Sequence, residues 1–184
     1  MRKLTVFNFL TLNGFYKGPN EDISWHNHGS EEGEYAAQGA QSESVLVFGR
    51  KTYQMMAGFW PTAEAQKRAP AVADGMNKSE KIVFSKTLTK AEWHNSKLIT
   101  GNLVDEIKKI KQSPGNDLTI LGSGSIVAQL SDAGLIDQYQ FMLDPVVLGD
   151  GTSIFQGISK KINLELVNTK AFKSGVVLQV YQPK

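Results

Sequence analysis

One stretch decides the fold: Asp117-Leu118-Thr119-Ile120-Leu121-Gly122-Ser123-Gly124-Ser125-Ile126-Val127-Ala128-Gln129-Leu130. A short apolar run ends at a glycine, a turn of small residues follows, and apolar residues then recur at helical spacing. This order predicts a strand, a tight Gly-Ser-Gly turn and a helix. Glycines let the backbone approach a ligand, and the amides at the start of a helix favour an anion, most commonly a phosphate. The stretch therefore predicts an anion-binding turn within an α/β fold.

Length and composition predict one soluble globular domain that spans residues 1–184. The chain has 184 residues, of which 41% are hydrophobic and 21% charged, enough to bury a sizeable core. Its net charge of +2 is far from that of a dedicated nucleic-acid-binding protein. The absence of cysteine excludes disulfides, thiol nucleophiles and zinc sites with cysteine ligands.

The N-terminal apolar run Leu4 to Leu12 follows two basic residues, as in a signal peptide. However, Thr5, Asn8 and Thr11 interrupt the run, and no small-residue cleavage site follows. A strand buried on both faces is the better interpretation. No run approaches the ~20 apolar residues of a membrane span, so we expect a cytoplasmic protein.

The remaining pattern alternates between strands and helices for two thirds of the chain and then gives strands alone. A Gly-, Asn- and Pro-rich loop covers 13–33, and loops of this length are commonly functional. Predicted strands are 4–12, 44–48, 81–85, 97–99, 118–121 and 136–148, followed by a hairpin of 163–169 and 176–181; predicted helices are 19–25, 32–40, 50–58, 61–76, 103–110 and 124–132. This order predicts a mostly parallel central sheet with antiparallel C-terminal strands.

A second strand-to-helix turn lies at Gly49-Arg50-Lys51-Thr52. Cations in the first turn of a helix oppose its dipole, so helix stability alone disfavours them there. An anionic ligand would remove the conflict. The alternative is that Arg50 and Lys51 point into solvent.

A third polar strand end is Ser85-Lys86-Thr87. Taken alone it reads as an ordinary polar loop, just as a lone Gly-Ser-Gly turn more often serves packing than binding. Ligands of α/β proteins, however, collect outside the carboxyl ends of the strands. Three such strand ends in one sheet together favour a long anionic ligand such as a dinucleotide.

These segments are similar to those of the dihydrofolate reductase superfamily, and the similarity covers nearly the whole chain. Residues 48–53 resemble the Gly-Arg-(His/Lys)-Thr-aromatic segment that meets the phosphates of NADPH. Residues 82–86 resemble the strand whose final Ser holds the 2′-phosphate, and residues 121–124 resemble the Gly-Gly turn at the pyrophosphate. The resemblance implies that the cofactor-binding residues are Gly49, Arg50, Lys51, Thr52, Ser85, Lys86, Gly122, Ser123, Gly124, Ser125 and Ile126.

The C-terminal part resembles one branch of that superfamily. Residues 134–139 and the stretch Pro145 to Phe155, which contains Pro-Val-Val-Leu-Gly-Asp-Gly, resemble the reductase domain of the deaminase–reductase of riboflavin synthesis and its free-standing relatives. This resemblance implies a dihydrofolate-reductase-like three-layer fold, NADPH as hydride donor and a homodimer.

The chain departs from the family pattern at two positions. Ser123 stands where the pyrophosphate turn has its second glycine, and Glu80 stands where dihydrofolate reductases place an Arg for the folate carboxylate. The lack of cysteine also excludes the zinc site of the deaminase half. Glu80 would repel a folate tail, which argues against dihydrofolate as the substrate.

Reduction of a C=N or C=O bond also requires a proton, and Asp22 is the predicted donor. Asp22-Ile23-Ser24-Trp25 resembles the Asp-Leu-Ala-Trp start of the substrate-side helix in dihydrofolate reductases. We expect Ile23 and Trp25 to raise the carboxyl pKa and Trp25 to contact the substrate. The alternative is that Asp22 caps a helix.

Two further groups carry weaker signals. Phe59 and Trp60 are expected to border the substrate pocket, although Met and aromatic residues at helical spacing more often form core. The group His26, His28, Glu31 and Glu32 has the residue types of a metal site, but such residues in a loop are more often solvated. We therefore expect no metal.

Together these residues predict an NADPH-dependent reductase of a pyrimidine- or pteridine-like small molecule. The first candidate substrate is the ribosylaminouracil phosphate of riboflavin synthesis. One alternative is a nucleotide-binding module of the same fold without catalysis. The other is a true dihydrofolate reductase.

Overall fold

The computed structural model describes residues 1–26 and 29–184, arranged as strands and helices in alternation. The strands are β1 Leu4–Thr11, β2 Phe15–Lys17, β3 Val45–Gly49, β4 Lys81–Phe84, β5 Ser96–Ile99, β6 Leu118–Leu121, β7 Gln138–Asp144, β8 Thr152–Ser153, β9 Leu164–Ala171 and β10 Val177–Pro183. The helices are α1 Ser30–Ala40, α2 Arg50–Phe59, α3 Ala63–Arg68, α4 Pro70–Lys78, α5 Leu103–Gln112 and α6 Gly124–Asp132, and a 3₁₀ turn covers Pro19–Glu21. Among the described residues, no helix has the length and apolar character needed to cross a membrane.

Eight strands form one sheet in the order β5-β4-β3-β6-β1-β7-β10-β9. Neighbouring strands from β5 to β7 run parallel, whereas β10 is antiparallel to both β7 and β9. The predicted fold class is therefore confirmed: a mostly parallel sheet with antiparallel C-terminal strands. The short β2 and β8 pair separately, away from this sheet.

Helices cover both faces of the sheet, so the protein has three layers. On one face, Val6 and Ile120 pack in a buried cluster with residues of α5 and α6 such as Ile107 and Val127. On the other face, α2 and α4 cover β3 and β4, and Tyr35 of α1 packs beside the C-terminal strands. This arrangement follows from the run Leu4 to Leu12, which is apolar on both faces and occupies the middle of the sheet.

Three predicted element boundaries were wrong, each for a local reason. The helix expected over 61–76 is two helices, because Thr62 caps α3 and Pro70 begins α4. The long strand expected over 136–148 reduces to β7, which ends immediately before Pro145. The helix expected over 19–25 is only the 3₁₀ turn, and Asn20 within it has a left-handed φ of 57°.

A buried lysine secures the amino end of β4. The side chain of Lys81 is 1% exposed, and its Nζ donates to the carbonyls of Asn77 (3.2 Å), Ser79 (2.7 Å) and His94 (3.1 Å). The same ammonium lies 4.4 Å from the ring centroid of Trp93, close enough for a cation–π contact. Burial lowers the pKa of Lys81 to about 8.

A second buried lysine secures the amino ends of β1 and β7. Lys111 is 3% exposed and donates to the carbonyl of Leu135 at 2.6 Å and to Asp137 Oδ2 at 2.5 Å. The same carboxylate oxygen accepts the backbone N–H of Leu4 at 2.6 Å. Every polar end of this arrangement has a partner within the protein, so this edge of the sheet serves the fold.

Candidate active site

The three turns that the sequence singled out lie side by side at the carboxyl edge of the sheet. β3 pairs with β4 through Gly49 and Phe84 and with β6 through Val47 and Ile120. Neighbouring strands are ~4.8 Å apart, so the turns that follow β4, β3 and β6 form a short row. A ligand that touches all three must be elongated.

Hydrogen bonds join the turns after β3 and β6 into one unit. Ser123 N–H donates to Thr52 Oγ1 at 3.1 Å, and Gly49 N–H donates to Ser123 Oγ at 2.8 Å. Gly122 N–H donates to the side-chain oxygen of Asn8 at 2.6 Å. We call these five residues the turn junction. The backbone N–H groups of Gly49, Gly122 and Ser123 therefore already donate hydrogen bonds within the protein.

The backbone of the turn junction requires its glycine and tolerates its serine. Gly122 has a φ of +62°, and a Cβ there would lie 2.9 Å from Thr52 Cγ2, so no larger residue fits without strain. Ser123 also has a left-handed φ of 58°, which costs about 1–2 kcal/mol for an L-residue. Its hydroxyl points inward and is bonded to Gly49, and the residue is 6% exposed. The departure from the family's second glycine therefore adds no side chain to the surface of the turn.

The first turn of α6 retains amides that have no partner among the described residues. Ile126 N–H donates to Ser123 O at 2.8 Å and its side chain lies in the core, so Ile126 serves packing. Among the described residues, the N–H groups of Gly124 and Ser125 have no hydrogen-bond partner in the protein. Ser125 is exposed, whereas Gly124 is buried, so an anion at the helix start would meet the Ser125 amide first.

A loop that we call the strap, residues 13–22, covers this edge. The ring of Tyr16 lies against Gly124, where a Cβ would meet Tyr16 Cε1 at 2.8 Å. Within the strap, Asn20 and Glu21 both have left-handed φ values, of 57° and 63°. A cavity of about 180 Å³ is lined by residues 17–21 and 150–152.

The cation at the start of α2 already has an anionic partner, and the strap supplies it. Lys51 Nζ lies 2.9 Å from Glu21 Oε1, and Lys17 Nζ lies 2.7 Å from Glu21 Oε2. The hydrogen bonds from Lys17 and Lys51 hold the pKa of Glu21 below its usual value. Arg50 is exposed and its Nη1 reaches Gln54 Oε1 at 3.4 Å. The conflict between cations and helix dipole is thus relieved at Lys51 by a carboxylate of the protein itself.

The strand end after β4 forms a tight turn around Ser85. Its Oγ accepts the N–H groups of Thr87 at 3.1 Å and Leu88 at 2.9 Å. The side chain of the next residue, Lys86, is exposed. Of this pair, Lys86 is the group able to approach a phosphate without breaking an existing bond.

Asn8 is a site residue that sequence reasoning missed. It lies on β1, is 4% exposed, and its Oδ1 accepts Gly122 N–H, which fixes the orientation of the amide. Its Nδ2 is the one buried side-chain nitrogen or oxygen among the described residues without a partner. An orphaned buried donor costs about 1–3 kcal/mol, and a ligand oxygen at the adjacent turn would satisfy it. The donor set therefore fits a phosphorylated cofactor.

Asp22 does not lie in an apolar pocket. It is exposed, and its Oδ1 accepts Ser24 N–H at 2.9 Å, a local turn that hydrogen bonds the residue two positions on. That backbone hydrogen bond lowers its pKa. The expected rise in the pKa of Asp22 is wrong. Its side chain closes a local turn and caps no helix among the described residues. Asp22 as proton donor stays a prediction.

A buried His–Asp pair lies close by, and the sequence gave little sign of it. His26 Nδ1 lies 3.0 Å from both carboxylate oxygens of Asp144, and the two side chains are 10% and 5% exposed. The His26 ring lies 3.7 Å from the ring centroid of Phe9 and 5.8 Å from that of Trp25. Trp25, predicted to contact substrate, thus lies at the same edge as this pair.

The other members of the group with the residue types of a metal site have separate partners. Glu31 Oε1 lies 3.2 Å from Lys173 Nζ, and Glu32 accepts a hydrogen bond from Ser174. His28 lies outside the described residues. Three of the four side chains therefore do not converge on one point.

Phe59 and Trp60 do not lie with the turn junction. α2 begins at Arg50 and has ten residues, so its last residue lies ~15 Å from its first. Trp60 packs against the cluster of Phe48 and Trp93, and its carbonyl accepts Asn77 Nδ2 at 3.0 Å. Trp60 thus packs against the core, and the expected contact of Phe59 and Trp60 with a substrate stays a prediction.

The sheet order, the three layers and the row of turns define a dihydrofolate-reductase-like α/β domain. The chain belongs to the RibD C-terminal domain family, whose profile matches residues 2–178. It is 30% identical over 180 residues to the uncharacterized protein YyaP of Bacillus subtilis (strain 168), covering 98% of this chain and 94% of YyaP.

Two solved structures share the fold at low sequence identity. One is the diaminohydroxyphosphoribosylaminopyrimidine deaminase/5-amino-6-(5-phosphoribosylamino)uracil reductase of Thermotoga maritima, with a TM-score of 0.71 and 12% identity, covering 100% of this chain and 57% of that chain. The other is dihydrofolate reductase from Enterococcus faecalis complexed with NADP(H), with a TM-score of 0.63 and 14% identity, covering 99% of this chain and 96% of that chain.

Proposed function

We propose that the protein is an NADPH-dependent reductase of a small pyrimidine- or pteridine-like heterocycle. Family membership supports the class of reaction. The single observation that carries the cofactor assignment is the row of three turns with the orphaned amide of Asn8 beneath it. Phosphate groups match the exposed cations and helix amides found there.

The cofactor supplies a hydride when bound, and the protein's part is to hold and orient it. In this proposal, the amides of Gly124 and Ser125 and the side chain of Asn8 bind the pyrophosphate region. Arg50 and Lys86, both exposed, bind the 2′-phosphate that distinguishes NADPH from NADH.

The first substrate to consider is the ribosylaminouracil phosphate of riboflavin synthesis, since the family and the Thermotoga maritima neighbour both point to that class. The sequence argument against dihydrofolate is weaker than expected. Glu80 immediately precedes the amino end of β4, and a strand of four residues places it ~13 Å from the carboxyl edge. The choice between these substrates therefore falls to an assay.

Thermal denaturation with each nicotinamide cofactor tests the proposal. NADPH is expected to raise Tm, and NADH to raise it less, because Arg50 and Lys86 lose the 2′-phosphate. Oxidation of NADPH, followed by absorbance with each acceptor, then identifies the substrate. No shift in Tm with either cofactor at millimolar concentration would overturn the dinucleotide assignment.

A non-catalytic nucleotide-binding module is the second candidate, and the Glu21–Lys51 contact favours it. That contact occupies a cation that the cofactor phosphates would otherwise use. A module of this kind would show the shift in Tm but no NADPH oxidation with any acceptor.

We also propose that the protein acts in the cytoplasm as a homodimer. Leu166 and Val167, on the edge strand β9, are 53% and 45% exposed, which makes this edge the first surface to examine. Sedimentation equilibrium measures the mass in solution directly, and a monomer at micromolar concentration would contradict the dimer.

A further inference from the structure

The order of strands fixes where a hydride acceptor would lie. The cofactor turns follow β4, β3 and β6, and the next strands across the sheet are β1 and β7. Their last residues, Thr11 and Asp144, are register partners. A ligand that meets the reactive end of a dinucleotide laid along this row therefore lies over the carboxyl ends of β1 and β7. The His26–Asp144 pair occupies that place.

The geometry of the pair is that of an oriented acid–base group. Both carboxylate oxygens of Asp144 lie 3.0 Å from Nδ1 of His26. Because a carboxylate only accepts hydrogen bonds, this contact places a proton on Nδ1. The other ring nitrogen, Nε2, is then the atom that exchanges a proton. The Phe9 ring at 3.7 Å fixes the plane of the imidazole. A buried carboxylate is costly unless it is paired, so Asp144 and His26 stabilise each other where they stand.

We propose that His26 is the acid that protonates the hydride acceptor and that Asp144 is its positioning residue, an inference that rests on the reductase function proposed above. The acceptor carbon receives the hydride, and the electron pair of its C=N or C=O bond moves to the heteroatom. That heteroatom takes the proton from His26 Nε2. His26 is left neutral and regains a proton from water, so the atoms and charges balance.

Asp22 is less suited to this role. Its carboxyl is exposed, and the Ser24 N–H lowers its pKa, so at neutral pH it holds no proton to give. The His26–Asp144 pair, in contrast, is shielded from solvent and lies next to Trp25, the predicted substrate contact.

Variants of both residues test the proposal with two readouts. His26→Gln is expected to lower kcat by about 100-fold or more, the range of general acid catalysis, while the Kd for NADPH stays within twofold. His94→Gln is the matched control, because His94 is exposed. The second readout needs no turnover: ¹⁵N NMR of the imidazole is expected to show the Nδ1–H tautomer in the wild type and its loss in Asp144→Asn.

The outcomes separate this inference from the proposed function. If the wild type oxidises NADPH and His26→Gln keeps full turnover, the inference is overturned and the reductase function stands. If Asp22→Asn loses turnover while His26→Gln keeps it, the role belongs to Asp22. If Asp144→Asn leaves the tautomer unchanged, Asp144 is not the positioning residue. If Asp144→Asn fails to fold, the turnover of His26→Gln tests the proposal alone. Absence of NADPH binding by the wild type overturns both.

Discussion

The two edges of the central sheet both bury polar side chains, but they treat them differently. At the amino edge, Lys81 and Lys111 are fully bonded to carbonyls and to Asp137. At the carboxyl edge, the Nδ2 of Asn8 has no partner among the described residues. Four non-glycine residues of the described chain have a positive φ. Three of them, Asn20, Glu21 and Ser123, lie at or over the carboxyl edge. Satisfied groups hold a fold together, whereas unsatisfied and strained groups mark a place prepared for a ligand.

The largest expected effect is on stability at the amino edge. Lys81→Met removes three hydrogen bonds from a charged donor, each contributing about 1.5–3 kcal/mol. Together they contribute about 4.5–9 kcal/mol, more than the roughly 3 kcal/mol that burial costs this ammonium, so a net loss of at least about 1.5 kcal/mol is expected. Denaturant unfolding measures it, and Lys78→Met, at an exposed position, is the control. An unchanged midpoint would mean that the buried lysine does not support the fold.

The same residue gives a pH dependence with a definite sign. The pKa of Lys81 is about 8 in the folded protein against a usual value of 10.5, so between these values the unfolded chain binds more protons. The free energy of unfolding is therefore expected to rise from pH 8 to pH 10.5, by at most about 3 kcal/mol. Lys81→Met should lack this rise. Parallel curves for the two proteins would contradict the assignment.

At the carboxyl edge the expected effect is on binding, and Asn8→Leu tests it. The variant removes the orphaned donor together with the acceptor of Gly122 N–H. NADPH affinity is expected to fall about tenfold, which corresponds to about 1.4 kcal/mol, while stability changes by less than about 1 kcal/mol. Calorimetric titration and denaturant unfolding give the two values. Asn168→Leu, on the exposed strand β9, is the control. A large loss of stability without loss of affinity would show that Asn8 supports the fold, as Lys81 and Lys111 do, and does not bind the cofactor.

The smallest expected effect is at the strap. Glu21→Gln removes the carboxylate that Lys51 and Lys17 share, so NADPH is expected to bind about threefold tighter. The size follows from the 0.2–1 kcal/mol of an exposed ion pair, and added salt should reduce it. Glu34→Gln, also exposed, is the control. Weaker binding by Glu21→Gln would show that the strap carboxylate assists the cofactor.

The fold was predictable because its signals are local and repeated. Buried strands that end in glycine or serine, followed by helical spacing, determine the parallel order, and the predicted helix over 124–132 matches α6. The predicted ends of helices and strands were wrong where a single residue interrupted the hydrophobic pattern. Pro70 divided a predicted helix, and Pro145 ended a predicted strand early.

The candidate site was predictable only in part, because its remaining contacts join residues far apart in sequence. The turns after β3, β4 and β6 could be found from composition. The pairing of His26 with Asp144, 118 residues away, leaves no local pattern. Asn8 was visible only as an interruption in an apolar strand, and the Glu21–Lys51 contact depends on the path of the strap.

The position of β1 in the sheet has a consequence for synthesis of the chain. β1 pairs on one side with β6 and on the other with β7, so its first neighbour is synthesised only once the ribosome has passed Leu121 and its second only after Asp144. At roughly 5–20 residues per second, an apolar strand waits for several seconds with both edges unpaired. Such non-local pairing slows folding, and this N-terminal segment is the one a chaperone would hold.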